Sequence, residues 1–415
     1  MDASTSTDPS SAPDGEGADG VPAGGVRADG VRRGFDVLAM GRIGVDLYPQ
    51  QSGVPLDQVE TFAKYLGGSA TNVAVAAARH GRRCAVVSRT GADPFGTFAR
   101  RALRGFGVDD RWVTPVPHLP TPVTFCELFP PDSFPLYFYR YPKAPDLEIR
   151  AEELDLEAVR AARILWVTGT GLCAEPSRSA TLAALAARSG AAPASAPARG
   201  EAAADGGRDA AHTVVDLDWR PAFWGGEGGA SCDGGASGAQ ARARARPVYR
   251  AALAHATVAV GNLDEAEVAT GCRDPLRCAE ELLALGPRLV VVKLGPDGVL
   301  ALRRHDGGSG SGGRVERVTL PPLPVRVVNG LGAGDAFGGA LCHGLLAGWE
   351  LERVLRFANA AGALVAGRHS CSSAMPTPRE VEALLDAECG AKAAPAPAPA
   401  PAPAAAATPA GRSPR

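Results

Sequence analysis

VVNGLGAGDAFGGAL, residues 327–341, carries an apolar run, 323–328, into a helix-like run, 336–346, through a loop holding three glycines and one aspartate. The start of a helix offers unpaired N–H groups and the positive end of the macrodipole, so it suits an anion. Two phosphate loops of this kind fail on spacing. A dinucleotide fingerprint, G-x-G-x-x-G, counted from Gly330 meets Asp335 at its sixth position, and counted from Gly332 it meets Phe337. A Walker A loop closes on Gly-Lys followed by Ser or Thr, and no such triplet follows. A third arrangement fits. Gly332, Ala333 and Gly334 present N–H groups to a phosphate, while Asp335, in the first helical turn, takes the proton from a hydroxyl that attacks it. A glycine-rich turn with an aspartate cap has the same letters, so the rest of the chain decides.

Working outward, short apolar runs end in polar or small residues: FDVLAMG (35–41), CAVVSRTG (84–91), ARILWVTGT (162–170), TVVDLDW (213–219), TVAVGN (257–262) and RLVVVKLG (288–295). Helical patterns lie between them, among them ATNVAVAAARHG (70–81), PFGTFARRALRGFG (94–107), 276–286 and ALCHGLLAGW (340–349). Buried strands alternating with helices predict an α/β fold with a mainly parallel central sheet covered on both faces, and ligands at the carboxyl ends of its strands. VETFAKYLGG and TPVTFCELFPPDSFPLYFYRYPKAPD are instead rich in Thr, aromatic and β-branched residues, with PPDSFP as a turn. They predict a small β-sheet lid, about 48–66 plus 120–145, that closes over a substrate.

The flanks are polar and repetitive. Residues 1–33 and 391–415, the latter reading APAPAPAP, are expected to be disordered tails around a single domain, 34–390. Low-complexity stretches at 189–210 and 225–245, and a shorter one at 307–313, are expected to be surface insertions.

With 43 basic and 45 acidic residues in 415 and a net charge of −2, the chain carries no footprint of nucleic-acid or membrane-surface binding. Nine scattered cysteines without a C-x-x-C pair argue against a zinc site or disulfide framework and suit a reducing cytoplasm. The N-terminus lacks a signal-peptide apolar core, and no apolar run is long enough to span a bilayer. A small-molecule substrate is expected.

Five segments in order resemble the ribokinase-like (pfkB) carbohydrate kinases, over about 35–385. YLGGSATNVAVAAARHG resembles the first family signature, and NGLGAGDAFGGAL the second. The resemblance implies a three-layer α/β/α sandwich, ATP and Mg²⁺. It also implies that Gly67 and Gly68 bring backbone to sugar hydroxyls, that Asn72 and Asp46 bind them, and that Asp335 is the base beside the Gly332, Ala333 and Gly334 anion hole. GNLDEAEV resembles the N-x-x-E element, implying that Asn262 and Glu265 hold Mg²⁺ through water; its letters also suit a helix cap. VVKLGPDGVLA implies Lys293, Gly295 and Gly298 near ATP, with a plain hairpin as the alternative, and Asn359 in ANAAGALVA falls on the adenine-side helix. The family usually has Asp-Thr where Asn329 and Gly330 stand, which puts the arrangement of a monovalent cation (K⁺) in question.

For the substrate, Tyr137, Tyr139, Arg140 and Lys143 in the lid, and Arg220 at a strand end, suggest recognition of a carboxylate, with solvated strand positions as the alternative for Arg140 and Lys143 and a γ-phosphate contact as the alternative for Arg220. The whole-chain wording resembles the 5-dehydro-2-deoxygluconokinase branch of the family, which shares the Asn-Gly departure and implies phosphorylation of a sugar acid in myo-inositol breakdown. A 2-keto-3-deoxygluconate kinase is the nearest alternative, and a non-catalytic sugar-binding or regulatory protein on the same fold the alternative of another class. The open edges of a lid sheet invite a second copy, a homodimer through the lid.

Overall fold

The computed structural model describes residues 34–189, 211–225, 236–305 and 314–393. The tails expected at 1–33 and beyond 393, the stretches 190–210 and 226–235, and 307–313 lie outside the described residues.

In chain order the elements are β1 Val37–Met40, β2 Gly44–Pro49, β3 Phe62–Gly67, α1 Ser69–Arg79, β4 Cys84–Gly91, α2 Pro94–Gly105, β5 Val108–Val116, β6 Val123–Cys126, β7 Leu136–Tyr139, α3 Leu156–Ala161, β8 Ile164–Thr168, α4 Ser177–Ser189 and β9 His212–Asp216. They continue with α5 Ala236–Leu253, β10 Val258–Asn262, α6 Leu263–Thr270, α7 Pro275–Ala284, β11 Leu289–Lys293, β12 Val299–Arg304, β13 Val315–Leu320, α8 Ala333–Ala347, α9 Leu351–Ala366 and α10 Pro378–Ala393.

Nine strands make the main sheet, ordered β13-β12-β11-β10-β9-β8-β1-β4-β5. Every neighbouring pair from β11 to β5 is parallel, and β12 and β13 are added antiparallel at one edge. Both faces are covered, which is why the strands read as continuous apolar runs. Val37 and Ala39 of β1 enter one core with Val73 of α1, Ala340 of α8 and Val354 of α9. Their neighbours Leu38 and Met40 enter the opposite core with Leu185 of α4, Ala245 of α5 and Leu282 of α7. A second sheet, ordered β3-β2-β6-β7, is the lid.

The interface between α1 and α8 positions the site. Both helices are rich in small residues, and a Cβ on Gly339 would stand 2.3 Å from the Cβ of Ala76, so only glycine allows the two backbones this close. Asn72 lies one turn before Ala76 and Asp335 one turn before Gly339, so the same close contact brings Asn72 and Asp335 face to face.

Three expectations change. Residues 236–245 belong to α5 rather than to an insertion, because Ala241 and Ala245 supply a small buried face while Arg244 between them points to solvent. The lid begins at Gly44, where β2 pairs with Gly67, and not at 48. The last helix, α10, runs to Ala393, past the expected start of the tail at 391. The apolar run 323–328 forms no strand and leads to α8 as irregular chain.

Candidate active site

Gly332 caps α8 in the left-handed region (φ +81°), with no side chain closing the helix end. A Cβ there would lie 2.7 Å from the Sγ of Cys371, so glycine is required by conformation and by space. The first N–H groups of α8, from Ala333 and Gly334, are therefore left available. Asp335, third in the helix, accepts a hydrogen bond from Asn72 Nδ2 to its Oδ2 at 2.8 Å. Burial pushes the Asp335 carboxyl up to about 6, a rise opposed by Asn72 and assisted by the charge of Asp218.

Asp46, on β2, is buried and takes a hydrogen bond from Tyr48 at 3.4 Å, with Gly67 packed directly against its carboxylate. Burial raises it to about 6 as well; Arg42 opposes the rise and Asp335 adds to it. Gly68, at φ +108°, starts α1.

The carboxyl ends of the parallel strands deliver the remaining groups. Thr168 of β8 pairs with Asp216 of β9, and Asn262 of β10 with Lys293 of β11. A Cβ on Gly334 would be 3.2 Å from Lys293 Nζ, which sets this ammonium beside the N-terminus of α8. Burial would lower the Lys293 pKa, but Asp216 and Glu265 hold it raised. Just past β9, Asp218 lies 3.0 Å from Arg220 Nη2 and accepts from Thr170 at 3.0 Å and from Ser69. Burial works against its charge, yet Arg220 and Arg42 keep its carboxyl below the usual range. Arg220 Nη1 also faces Glu265 Oε1 at 3.6 Å.

Asn262 and Glu265 form a capping box at the start of α6. Glu265 N–H donates to Asn262 Oδ1 at 2.9 Å, and Asn262 N–H donates to Glu265 Oε2 at 2.8 Å. Gly295 and Gly298 bound a tight turn between β11 and β12, closed by Leu294 N–H donating to the Gly298 carbonyl at 2.8 Å. Asn359, on α9, is half-buried and donates to the Pro321 carbonyl at 3.4 Å. Asn329, fully buried, donates to the His369 carbonyl at 2.9 Å and accepts from Leu331 N–H at 2.9 Å, so both ends of its amide hold the loop itself.

The lid cations do not form the expected acid-binding cluster. Arg140 is buried against Asp146, with bonds of 3.1 and 2.9 Å, and its guanidinium lies 4.7 Å over the ring of Phe223. Lys143 pairs with Glu148 at 2.6 Å. Their charges are already matched, and Tyr139 is 62% exposed. Arg42, Asp216 and Asp218 were not singled out by sequence reasoning. Polar residues at or just beyond the ends of buried apolar strands are the signal that marks all three.

The chain matches the model of the pfkB family carbohydrate kinases over residues 35–211 and 235–378. A 5-dehydro-2-deoxygluconokinase of Shouchella clausii (strain KSM-K16) is 29% identical over 355 residues, covering 85% of this chain and 96% of that protein. One of Clostridium tetani (strain Massachusetts / E88) is 29% identical over 357 residues, covering 85% and 93%. A candidate ribokinase II of E. coli, solved in complex with ATP and Mg²⁺, superposes with a TM-score of 0.68 at 20% identity, covering 85% of this chain and 99% of its own.

Proposed function

The chain belongs to the pfkB family of carbohydrate kinases, and from that premise we propose that it transfers the γ-phosphoryl of ATP to the 6-hydroxyl of 5-dehydro-2-deoxy-D-gluconate, a sugar acid of myo-inositol breakdown. The observation that carries the catalytic reading is the Asn72–Asp335 contact of 2.8 Å below an uncapped helix end. The name shared by its relatives supports the substrate.

In this reaction Asp335 accepts the proton of the attacking hydroxyl as the new oxygen–phosphorus bond forms. With a pKa of about 6 it is mostly ionised at neutral pH and still basic enough to serve. Asn72 fixes its orientation, Asp46 holds a neighbouring sugar hydroxyl, and the N–H groups of Ala333 and Gly334, with Lys293 beside them, take up charge on the moving phosphoryl. Closure of the lid would keep water from competing for the phosphoryl.

Mg²⁺, when bound, would screen the triphosphate charge. It prefers oxygen ligands and retains water. The capping box engages Asn262 Oδ1 and Glu265 Oε2, leaving Glu265 Oε1 facing Arg220. That donor set fits contact with hydrated Mg²⁺ through water. A monovalent cation such as K⁺ stays outside this reading: Asn329 stands where the family usually has Asp, and its amide is engaged by the His369 carbonyl and Leu331 N–H.

A cytoplasmic location is part of the proposal, in keeping with the free thiols of Cys84, Cys126, Cys173, Cys272, Cys278, Cys342 and Cys371. Among the described residues no helix is long and apolar enough to cross a membrane. So is a homodimer through the lid. β3 and β7 are its edges, and Tyr139 at the end of β7, Tyr141 just beyond it and Phe95 of α2 leave large side chains exposed.

The test is ADP release with ATP, Mg²⁺ and a panel of 5-dehydro-2-deoxygluconate, 2-keto-3-deoxygluconate, fructose, ribose and adenosine. Activity confined to the first supports the proposal. Preference for 2-keto-3-deoxygluconate or a neutral sugar replaces the substrate and leaves Asp335 in its role.

A further inference from the structure

Arg42 stands where the main sheet hands over to the lid, two residues after β1 and two before β2. Its carbonyl accepts from Thr71 Oγ1 at 3.2 Å, which fixes the backbone against α1. The residue is only 8% exposed, and its guanidinium lies 5.6 Å over the ring of Phe138 in β7. Its Nε is buried and has no hydrogen-bond partner. A buried cationic donor left in this state is costly unless an acceptor completes it.

The carboxylate of Asp218 does not complete it. Asp218 is 3.9 Å away, beyond hydrogen-bond length, and is already served by Arg220, Thr170 and Ser69. Arg220 also has an unpartnered Nε, but Asp218 at 3.0 Å and the Trp219 carbonyl at 2.8 Å engage its two Nη atoms. Asn72 presents the complementary deficit. Its Nδ2 serves Asp335, whereas its buried Oδ1 has no donor. The site thus lacks an anionic acceptor at Arg42 and a hydroxyl donor at Asn72, which is the polar pattern of a sugar acid.

We infer that Arg42 binds the carboxylate of the substrate and sets the preference for a sugar acid over its neutral counterpart. Resting on the sugar-acid kinase reading above, this assignment moves carboxylate recognition from the lid to the β1–β2 junction. Asn72 Oδ1 accepts from a hydroxyl of the same substrate.

Steady-state kinetics of the full chain, its R42M and R42K variants, with 5-dehydro-2-deoxygluconate and with the neutral C1 amide of that acid, test it. Loss of a charge-assisted contact predicts that R42M raises KM for the acid by roughly 10- to 100-fold. KM for ATP should stay within about threefold, and KM for the amide should rise at least about tenfold less than KM for the acid. Loss of the Arg42 charge also acts on Asp46, Asp218 and Asp335, but it does so equally for both substrates, so the acid-to-amide ratio carries the comparison. R42K should fall between, because lysine keeps the charge but lacks the fork. If R42M does not fold, R42K carries the same comparison beside Asp218. An unchanged acid KM, a parallel rise for acid and amide, or a change confined to ATP overturns the role of Arg42 while leaving the kinase reading intact. A wild-type enzyme that phosphorylates only neutral sugars overturns the sugar-acid reading, and this assignment with it.

Discussion

Asn72 Nδ2 donates to Asp335 Oδ2 at 2.8 Å, and this bond is one rung of the α1–α8 interface whose next rung is Ala76 against Gly339. Helix packing and the placing of the candidate base are therefore one arrangement. The small residues that let the backbones meet also bring an amide to the carboxylate. The candidate base is held from a helix rather than from a loop, with Asn72 of a second helix fixing its carboxylate.

Asp335→Asn keeps the shape and removes the proposed proton acceptor. Turnover should fall by roughly 10²- to 10⁴-fold while ATP affinity measured by calorimetry stays close to wild type. Turnover within about tenfold of wild type would remove Asp335 from the role of base.

Asp335 and Asp46 are each pushed up to about 6, and each raises or is raised by like charge nearby. A carboxylate base works ionised, so with Asp335 in that proposed role kcat/KM should fall as pH drops through about 6, in a limb that belongs to the pair. The Asn72 hydrogen bond lowers the Asp335 pKa. Asn72→Ala should therefore move the acid limb to higher pH, whereas an unmoved or lowered limb would mean that Asn72 does not stabilise the ionised base.

Gly332 and Gly81 both have positive φ, +81° and +79°, but only Gly332 has a neighbour where a Cβ would go. Gly81→Ala should cost about 1 kcal/mol from backbone strain alone and leave kcat unchanged. Gly332→Ala must also displace Cys371, so it should destabilise further and depress kcat by shifting the N–H groups of the helix end. Equal effects of the two on kcat would argue against an anion hole at 332–334.

The parallel sheet was legible because strands covered on both faces are written as apolar runs, as in RLVVVKLG for β11. The second signature was legible because Gly332 and Asp335 sit at a helix start whose chemistry follows from local spacing. What escaped depended on distant pairing. Arg140 reads as a cation free for substrate until Asp146, six residues on, turns back to meet it. Arg42 reads as an ordinary loop arginine until Thr71, Phe138 and Asp218 are folded around it. The start of α5 follows a glycine-rich stretch and reads with it as one insertion, although its alanines and arginines are good helix formers and Ala241 and Ala245 pack into the core against the sheet.

Arg140 and Asp146 make a pair whose side chains are 9% and 2% exposed. Arg140→Met leaves Asp146 buried and unpaired, which should cost about 3–5 kcal/mol in urea unfolding. In the folded variant KM for the sugar acid should stay at the wild-type value. A raised KM with unchanged stability would return Arg140 to substrate binding.

His80, at the end of α1, lies 5.3 Å from the rings of both His343 and Phe357, and neither of its ring nitrogens has a partner. Burial lowers its pKa from the ordinary 6.5 to about 3, and His343, whose Nδ1 accepts from Arg82 Nε at 3.2 Å, is lowered by burial to about 4. Below pH 6.5 the unfolded chain binds protons that the folded chain refuses, so this contribution to stability is full above 6.5 and is lost as pH falls toward 3. His80→Phe keeps an aromatic contact and removes one such site. Its unfolding free energy should therefore decline less than that of wild type between pH 7 and pH 5, measured by urea denaturation. Parallel declines would show that His80 does not stay neutral in the folded protein, since a ring charged in both states has no linkage to lose.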